Sequence, residues 1–385
     1  VGAGVVAAFH VGKVPPSIPS IREDLGADLR QAGWLLSMVN LTAALGGMTI
    51  ALTVDRFGHR RLVVLGTALC FAASLLGALA GSIELLLVWR FLEGLGFIVI
   101  TVSIPTLVLR ITEPADRHRA MTFWTSYMPA GAGSMMLIAA VILPGSSWRA
   151  AWLVASGASA IMLVALLLRA GPRHELDIER VKRRPILHEM AEVASSGGPL
   201  AIALCFGAYS ACWLAVIGFL PTLQVERLGF STSLAAVVTA AVTVINVAGN
   251  LASGWLLQRG VPRVAVISGA TISMAVCAAG IFMDGVPDLL RLFLAGLYSA
   301  VIGVVPGALF TALPVHSPRP ELVGASTGLL MQGSNFGGLI GPPITGALVA
   351  SGGWSAAAWL TSAALGVLVA GSLFLHWRER RKLRA

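Results

Sequence analysis

Gly46–Arg61 reads GGMTIALTVDRFGHRR, an apolar helix that runs straight into a tight basic turn. Asp55, Arg56, Gly58, Arg60 and Arg61 put one acid, three cations and a flexible residue into seven positions. An Asp at a helix end beside Arg can tie two helix ends together by charge-assisted hydrogen bonds. Gly58 allows the backbone geometry that a very short connection demands. The plainest reading of the turn is a basic loop on the cytoplasmic side of a membrane.

Composition outside this stretch fixes the class. Of the 385 residues 56% are hydrophobic and 12% charged, against about 25% charged in soluble domains. Apolar segments of about 20 residues, each able to cross the hydrocarbon as a helix, follow one another to the C-terminus. Twelve are expected, near 1–20, 32–54, 60–80, 84–110, 120–143, 148–168, 200–222, 231–257, 263–283, 288–313, 322–349 and 354–376. The polar, basic stretch 169–198 divides them into six and six, predicting a first bundle over 1–168 and a second over 199–385. Val1 is not a start methionine, so a short cytoplasmic N-terminus is expected before it, with the first run kept as a helix rather than cleaved.

Placement of charge gives orientation. With the N-terminus inside, 20 of the 27 Lys and Arg fall in inner loops and the tail, and only Arg22, Arg30, Arg149 and Arg227 on the outer face. That asymmetry puts both termini and the linker in the cytoplasm of an inner or plasma membrane. The tail HWRERRKLRA then reads as an anchor near anionic lipid, not an arm for nucleic acid. Cys70, Cys205, Cys212 and Cys277 lie in apolar runs without metal-ligand spacing and read as packing residues.

The halves repeat each other. Adding about 202 carries Pro19…Leu25-Gly26 onto Pro221…Leu228-Gly229, and Gly47 and Gly58 onto Gly249 and Gly260. In GNLASGWLLQRGVPR, the weakened copy of the opening stretch, Leu257 stands where Asp55 should be. Arg90 with Pro105 maps onto Arg291 with Pro306. Tandem repeats in one orientation, with a solute site at their interface, are one known transporter plan.

The loop G-x-x-x-D-R-x-G-R-R, with these repeats, resembles the signature between helices 2 and 3 of major facilitator superfamily transporters. His59 departs from the family's usual Arg or Lys. The resemblance implies an all-α membrane protein of twelve transmembrane helices in two pseudo-symmetric six-helix bundles. It implies alternating access, spans 1, 4, 7 and 10 around a central cavity, a functional monomer, and Asp55, Arg56, Gly58, Arg60 and Arg61 as a conformational latch. KVPPSIPSIREDLG and WTSYMPAG look similar to the cyanate and nitroimidazole branch. The Gly-Pro-Gly-Gly pattern of the family's proton antiporters is rearranged in WTSYMPAGAG, which speaks against a drug exporter.

Charged residues inside spans are costly and mark a pathway by default. Lys13, Arg90, Glu93 and Arg291 are such residues. At 1.5 Å per residue Lys13 lies roughly 12 Å and Arg90 roughly 9 Å from the outer ends of their helices, at similar levels. Lys13, Arg90 and Arg291 are therefore expected to meet an anion, Arg as a planar fork and Lys as a point charge. Glu93, one turn from Arg90, and His10, one turn from Lys13, are the expected proton-coupling groups. The plainer alternatives are a helix-bridging Arg90–Glu93 ion pair, a snorkelling Arg291 and a His10 that only bonds a neighbouring helix. Trp213, Tyr127, Asn250 and Asn335 would complete a pocket for a small, partly apolar solute. No Walker loop or HExxH occurs, and no enzyme, cofactor or metal site is expected. The function these features imply is proton-coupled movement of a small organic or inorganic anion across the bilayer. Alternatives are a proton-driven exporter of amphipathic metabolites or drugs, and a non-transporting receptor or scaffold.

Overall fold

The computed structural model describes residues 2–57, 59–113, 124, 127–168 and 186–384. At 45–57, 105–106, 109–111, 129, 186–190, 321, 324 and 382–384 it describes the backbone alone. Among the described residues there is no strand, and eight helices are long and apolar enough to cross a membrane.

The first half contains α1 (Gly2–Gly12), α2 (Val14–Leu25), α3 (Leu29–Phe57), α4 (His59–Ala78), α5 (Ile83–Ile111), α6 (Tyr127–Ile142) and α7 (Trp148–Leu168). The second contains α8 (Ile186–Ser195), α9 (Gly198–Leu228), α10 (Thr232–Gln258), α11 (Arg263–Phe282), α12 (Asp288–Ile302), α13 (Val304–His316), α14 (Val323–Gly352) and α15 (Ala357–Arg384). Two expected spans are thus broken, the first at Lys13 and the tenth at Gly303. Pro15 and Pro16 explain the first break, because without N–H groups they leave the carbonyls of Val11 and Gly12 without their usual helical donors. Helix α9 runs past its expected end at 222, since Val225, Glu226, Arg227 and Leu228 continue it until Gly229. The stretch expected as a linker carries α8 at its end.

By contacts between Cα atoms the chain forms two compact units, Val1–Ile178 with Phe219–Ala240, and Glu179–Gly218 with Ala241–Ala385. In the first unit, α1 crosses α6 with almost no side chain between. A Cβ on Gly12 would lie 2.3 Å from Ala132 O, and one on Gly131 would lie 2.3 Å from Val5 O. Asp24 joins helix ends on this unit by accepting from Trp148 Nε1 at 2.9 Å and from Arg149, whose Nη2 reaches Ala80 O at 3.0 Å. These bonds hold the Asp24 carboxyl below the usual carboxylate range, the Trp148 bond first and the Arg149 bond second. Arg22 pairs with Glu226, and Ser233 Oγ donates to Ala140 O at 2.5 Å.

The second unit uses the same device. Gly333, Gly337 and Gly341 on α14 face Ala203, Gly207 and Ala211 on α9, and a Cβ on Gly337 would lie 1.8 Å from Gly207 O. Such stripes let backbones approach where lipid supplies no hydrophobic drive. Gly77 on α4 packs on Trp152, whereas a Cβ on Gly81 would meet nothing within 4 Å. Helix α8 buries Val193, and its Glu192 takes a two-pronged bond from Arg319 at 3.0 and 2.5 Å. Arg263 and His316 both reach Glu379 Oε1, at 2.7 and 3.2 Å. The repeat is visible locally: Gly26 and Gly229, counterparts at helix ends, take φ of 65° and 67°, the left-handed geometry that glycine adopts without strain.

Candidate functional site

Four of the singled-out residues meet inside the first unit. The break between α1 and α2 presents Lys13, the turn before it His10, and α5 supplies Arg90 and Glu93 three residues apart on one face. All four are at most 1% exposed. Glu93 is the hub. Its Oε1 accepts from Lys13 Nζ at 2.5 Å, its Oε2 accepts from Arg90 Nη1, and His10 Nδ1 lies 3.5 Å from Oε1.

Each cation is held by further partners. Lys13 Nζ donates to Ser74 Oγ at 2.7 Å and stands 4.2 Å from the centre of the Trp152 ring. Ser74 Oγ in turn donates to Trp152 O at 2.9 Å, so α4 and α7 hold the ammonium together with Glu93. Arg90 Nη1 also reaches His10 O at 2.8 Å, and its Nε reaches Leu35 O on α3 at 3.3 Å. The His10 carbonyl is open to Arg90 because it sits at the end of a broken helix. His10 Nε2 and Ser159 Oγ on α7 are 2.9 Å apart. Burying a charge costs several kcal/mol per ion unless it is paired and hydrogen-bonded, and here every ion has both. With His10 neutral, two cations share one carboxylate.

The other expected residues have partners of their own. Arg291 is 3% exposed and points into backbone, donating to Ile281 O, to Met283 O at 3.0 Å and to Val286 O at 3.2 Å. It thereby ties the end of α11 to the turn before α12 (charge-assisted bonds to carbonyls that lack helical donors). Tyr127 stacks on Trp124 with centroids 4.3 Å apart, flanking the apolar core around Ala3, Ala7 and Phe97. Asn250 Nδ2 donates to Asn246 Oδ1 at 2.9 Å, and Asn246 Nδ2 donates to Ser299 O at 3.0 Å. Trp213 on α9 and Asn335 on α14 are half-buried. Of the basic turn, Arg60 and Arg61 are exposed in the first turn of α4, Asp55 and Arg56 are described only as helical backbone, and Gly58 lies outside the described residues.

Ser74, Trp152 and Ser159 belong to the cluster and were not expected in it. A serine in an apolar helix gives no charge signal, and its role is visible only once Lys13 and His10 are placed. The acid that Lys13 meets comes not from its own span but from α5.

A family model described as Major Facilitator Superfamily matches residues 1–337. The 3-(3-hydroxy-phenyl)propionate transporter of Escherichia coli is 26% identical over 374 residues, covering 94% of this chain and 89% of that protein. The drug efflux pump JefA of Mycobacterium tuberculosis is 29% identical over 169 residues, covering 43% of this chain and 33% of its own. Among solved structures, the nucleoside transporter NupG superposes with a TM-score of 0.74 at 13% identity, covering 97% of each chain.

Proposed function

The chain belongs to the major facilitator superfamily, and from that premise we propose a secondary transporter that moves a small organic anion by alternating access with a coupled proton. A transporter of this family is a multi-pass membrane protein and not an enzyme. Twelve spans in two six-helix bundles, 1–168 and 199–385, with both termini cytoplasmic in the inner membrane, complete the reading as one functional monomer. The broken helices α1–α2 and α12–α13 supply the first and tenth of those spans.

One observation carries the substrate class: Lys13 and Arg90, buried at 0% and 1% exposure, converge on a single carboxylate. The relative matched over nearly the whole chain is named for an aromatic carboxylate, which agrees with an anion of that kind. Lys13 and Arg90 are its proposed first contacts. Trp213, Tyr127, Asn250 and Asn335 shape the path, and Arg291 supports it by holding a helix end. Glu93 and His10 tie the proton to the same cluster, and the turn from Asp55 to Arg61 serves as the latch. Placement within the cyanate and nitroimidazole branch is a finer reading, supported by two stretches of sequence alone.

Purified protein in proteoliposomes tests the proposal. Radiolabelled 3-phenylpropionate is expected to accumulate when the outside is made acidic, and Lys13→Ala is expected to abolish accumulation. Uptake indifferent both to the pH gradient and to Lys13→Ala refutes it. A second reading, proton-driven export of amphipathic compounds, is favoured by the likeness to JefA over 169 residues. Protection of whole cells that survives loss of Lys13 but not of Glu93 selects that reading.

A further inference from the structure

The cluster contains Lys13, Arg90, Glu93 and His10, and its charges do not cancel. Arg90 stays protonated in any protein setting, Glu93 is held as a carboxylate by two cations, and a neutral His10 adds nothing. One positive charge is left over, inside helices at 0–1% exposure. Charge of that kind in a hydrocarbon setting is expensive. Donors are in surplus as well. Lys13 and Arg90 direct their bonds to one carboxylate, one hydroxyl and two carbonyls, and Trp152 Nε1, in the ring beneath the Lys13 ammonium, is buried without an acceptor.

Two events remove the excess: loss of the Lys13 proton, or arrival of one monovalent anion. We propose that the protein alternates between them, so that Lys13 itself carries the coupling proton and a single monocarboxylate enters with it. In the empty cluster Lys13 is an amine, and Arg90 and Glu93 form a neutral pair. In the loaded cluster the amine has taken one proton from water, and the ammonium faces Glu93 and the substrate carboxylate together. Both states are neutral. Transport is therefore electroneutral, one proton for each anion, and a dicarboxylate leaves a negative charge behind and is a poor substrate. This deepens the transport reading above and depends on it only for the anion.

The groups around Lys13 support this assignment. From α5 it meets Glu93 and Arg90, from α1 His10, and from α4 Ser74 and Cys70. From α7 it meets only the Trp152 ring, while Ser159 is taken up with His10. Among the described residues no second acid pairs with Lys13 in that shell to hold an ammonium permanently. An Arg at position 13 keeps its charge in every state and so separates binding from coupling.

The chain has three lysines, Lys13, Lys182 and Lys382, so protein labelled with isotope at the lysine side chain gives three resonances, and Lys13→Met identifies the first. In the empty protein at neutral pH that resonance is expected in its uncharged position, and saturating 3-phenylpropionate is expected to move it to the charged one. A Lys13 resonance charged throughout overturns the proposal whether or not 3-phenylpropionate is a substrate. In proteoliposomes, uptake is expected to draw one proton per anion, read with an internal pH dye, and to be unchanged by a potassium–valinomycin potential. Uptake that responds to the potential overturns the charge balance. Lys13→Arg is expected to retain the thermal shift with 3-phenylpropionate and lose at least tenfold in pH-driven accumulation. Retained accumulation moves the proton elsewhere, and a carboxylic-acid carbonyl band gained on loading and absent in Glu93→Gln moves it to Glu93. Absence of any uptake or thermal shift by wild-type protein, with Lys13 uncharged when empty, refutes the anion reading and leaves the lysine assignment standing.

Discussion

Glu93→Gln tests the hub of the buried cluster directly. Glutamine fits the same space, but it removes the acid shared by Lys13 and Arg90 and turns an NH2 group toward one of them. Arg90 keeps the carbonyls of His10 and Leu35, and Lys13 keeps Ser74 and the Trp152 ring. Those contacts orient both side chains, and none of them neutralises Arg90. Breaking a buried ion pair from one side costs about 3–5 kcal/mol, because a charge is stranded. Lys13→Met strands none: Arg90 and Glu93 remain paired, the cluster is neutral, and the losses are the bond to Glu93, which Arg90 partly replaces, and the bond to Ser74. Its cost should be about 1 kcal/mol, near that of a typical intramolecular hydrogen bond. Thermal unfolding in detergent should therefore rank wild type, Lys13→Met and Glu93→Gln in that order. The last should melt about 6–20 °C lower if the first unit unfolds as one body. The double variant should be no less stable than Glu93→Gln alone. Equal melting of Glu93→Gln and wild type, or a larger loss for Lys13→Met, would refute the pairing.

Three other outcomes follow from the packing. Gly337→Ala places a Cβ 1.8 Å from Gly207 O and should cost about 1–3 kcal/mol as α14 is pushed off α9, whereas Gly157→Ala, with nothing within 4 Å, should be neutral or slightly stabilising in the same melt. Arg291→Met should lower the melting temperature and leave solute preference unchanged, because its bonds go to backbone carbonyls; an altered preference contradicts that role. Asp24 has a lowered native carboxyl pKa, so its stabilisation is complete above the unfolded value of about 4 and is lost as pH falls through the native one. Asp24→Asn should therefore flatten the acid side of the melting profile, and an unchanged profile counts against the Trp148 and Arg149 bonds.

The legible part of the fold was the part that physics writes one residue at a time. Apolar length marked the helices, whereas the break at Lys13 was not expected, although Pro15 and Pro16 account for it. Small residues at every fourth position of α14 lie where it crosses α9. The charged members of the site were legible too, since a Lys, an Arg and a Glu inside apolar runs are costly enough to need a reason. Their pairing was not, because Lys13 and Glu93 are 80 residues apart and meet only across helices. Equal depth hinted at it, and nothing in the sequence said which way each side chain turned. Ser74 and Ser159 carry no charge to give them away. Arg291 looked equivalent to Arg90, yet it serves backbone carbonyls, which no spacing of side chains reveals.

That last contrast bears on how the halves divide the work. Arg90 and Arg291 are counterparts in the repeat, and both are buried. Three residues after Arg90 stands Glu93, while three residues after Arg291 stands Leu294. The positions that correspond to Lys13 and His10 are Ala215 and Cys212. Arg291 directs donors to three backbone carbonyls at a helix end. Arg90 instead shares the Glu93 carboxylate with Lys13. The repeat thus preserves the scaffold in both halves, as Gly26 and Gly229 show with nearly equal φ, and keeps the ionisable cluster in one. Restoring an acid by Leu294→Glu should pair with Arg291 at the expense of its carbonyl bonds. Without a lysine beside it, the new pair would be neutral in every state and carry no proton.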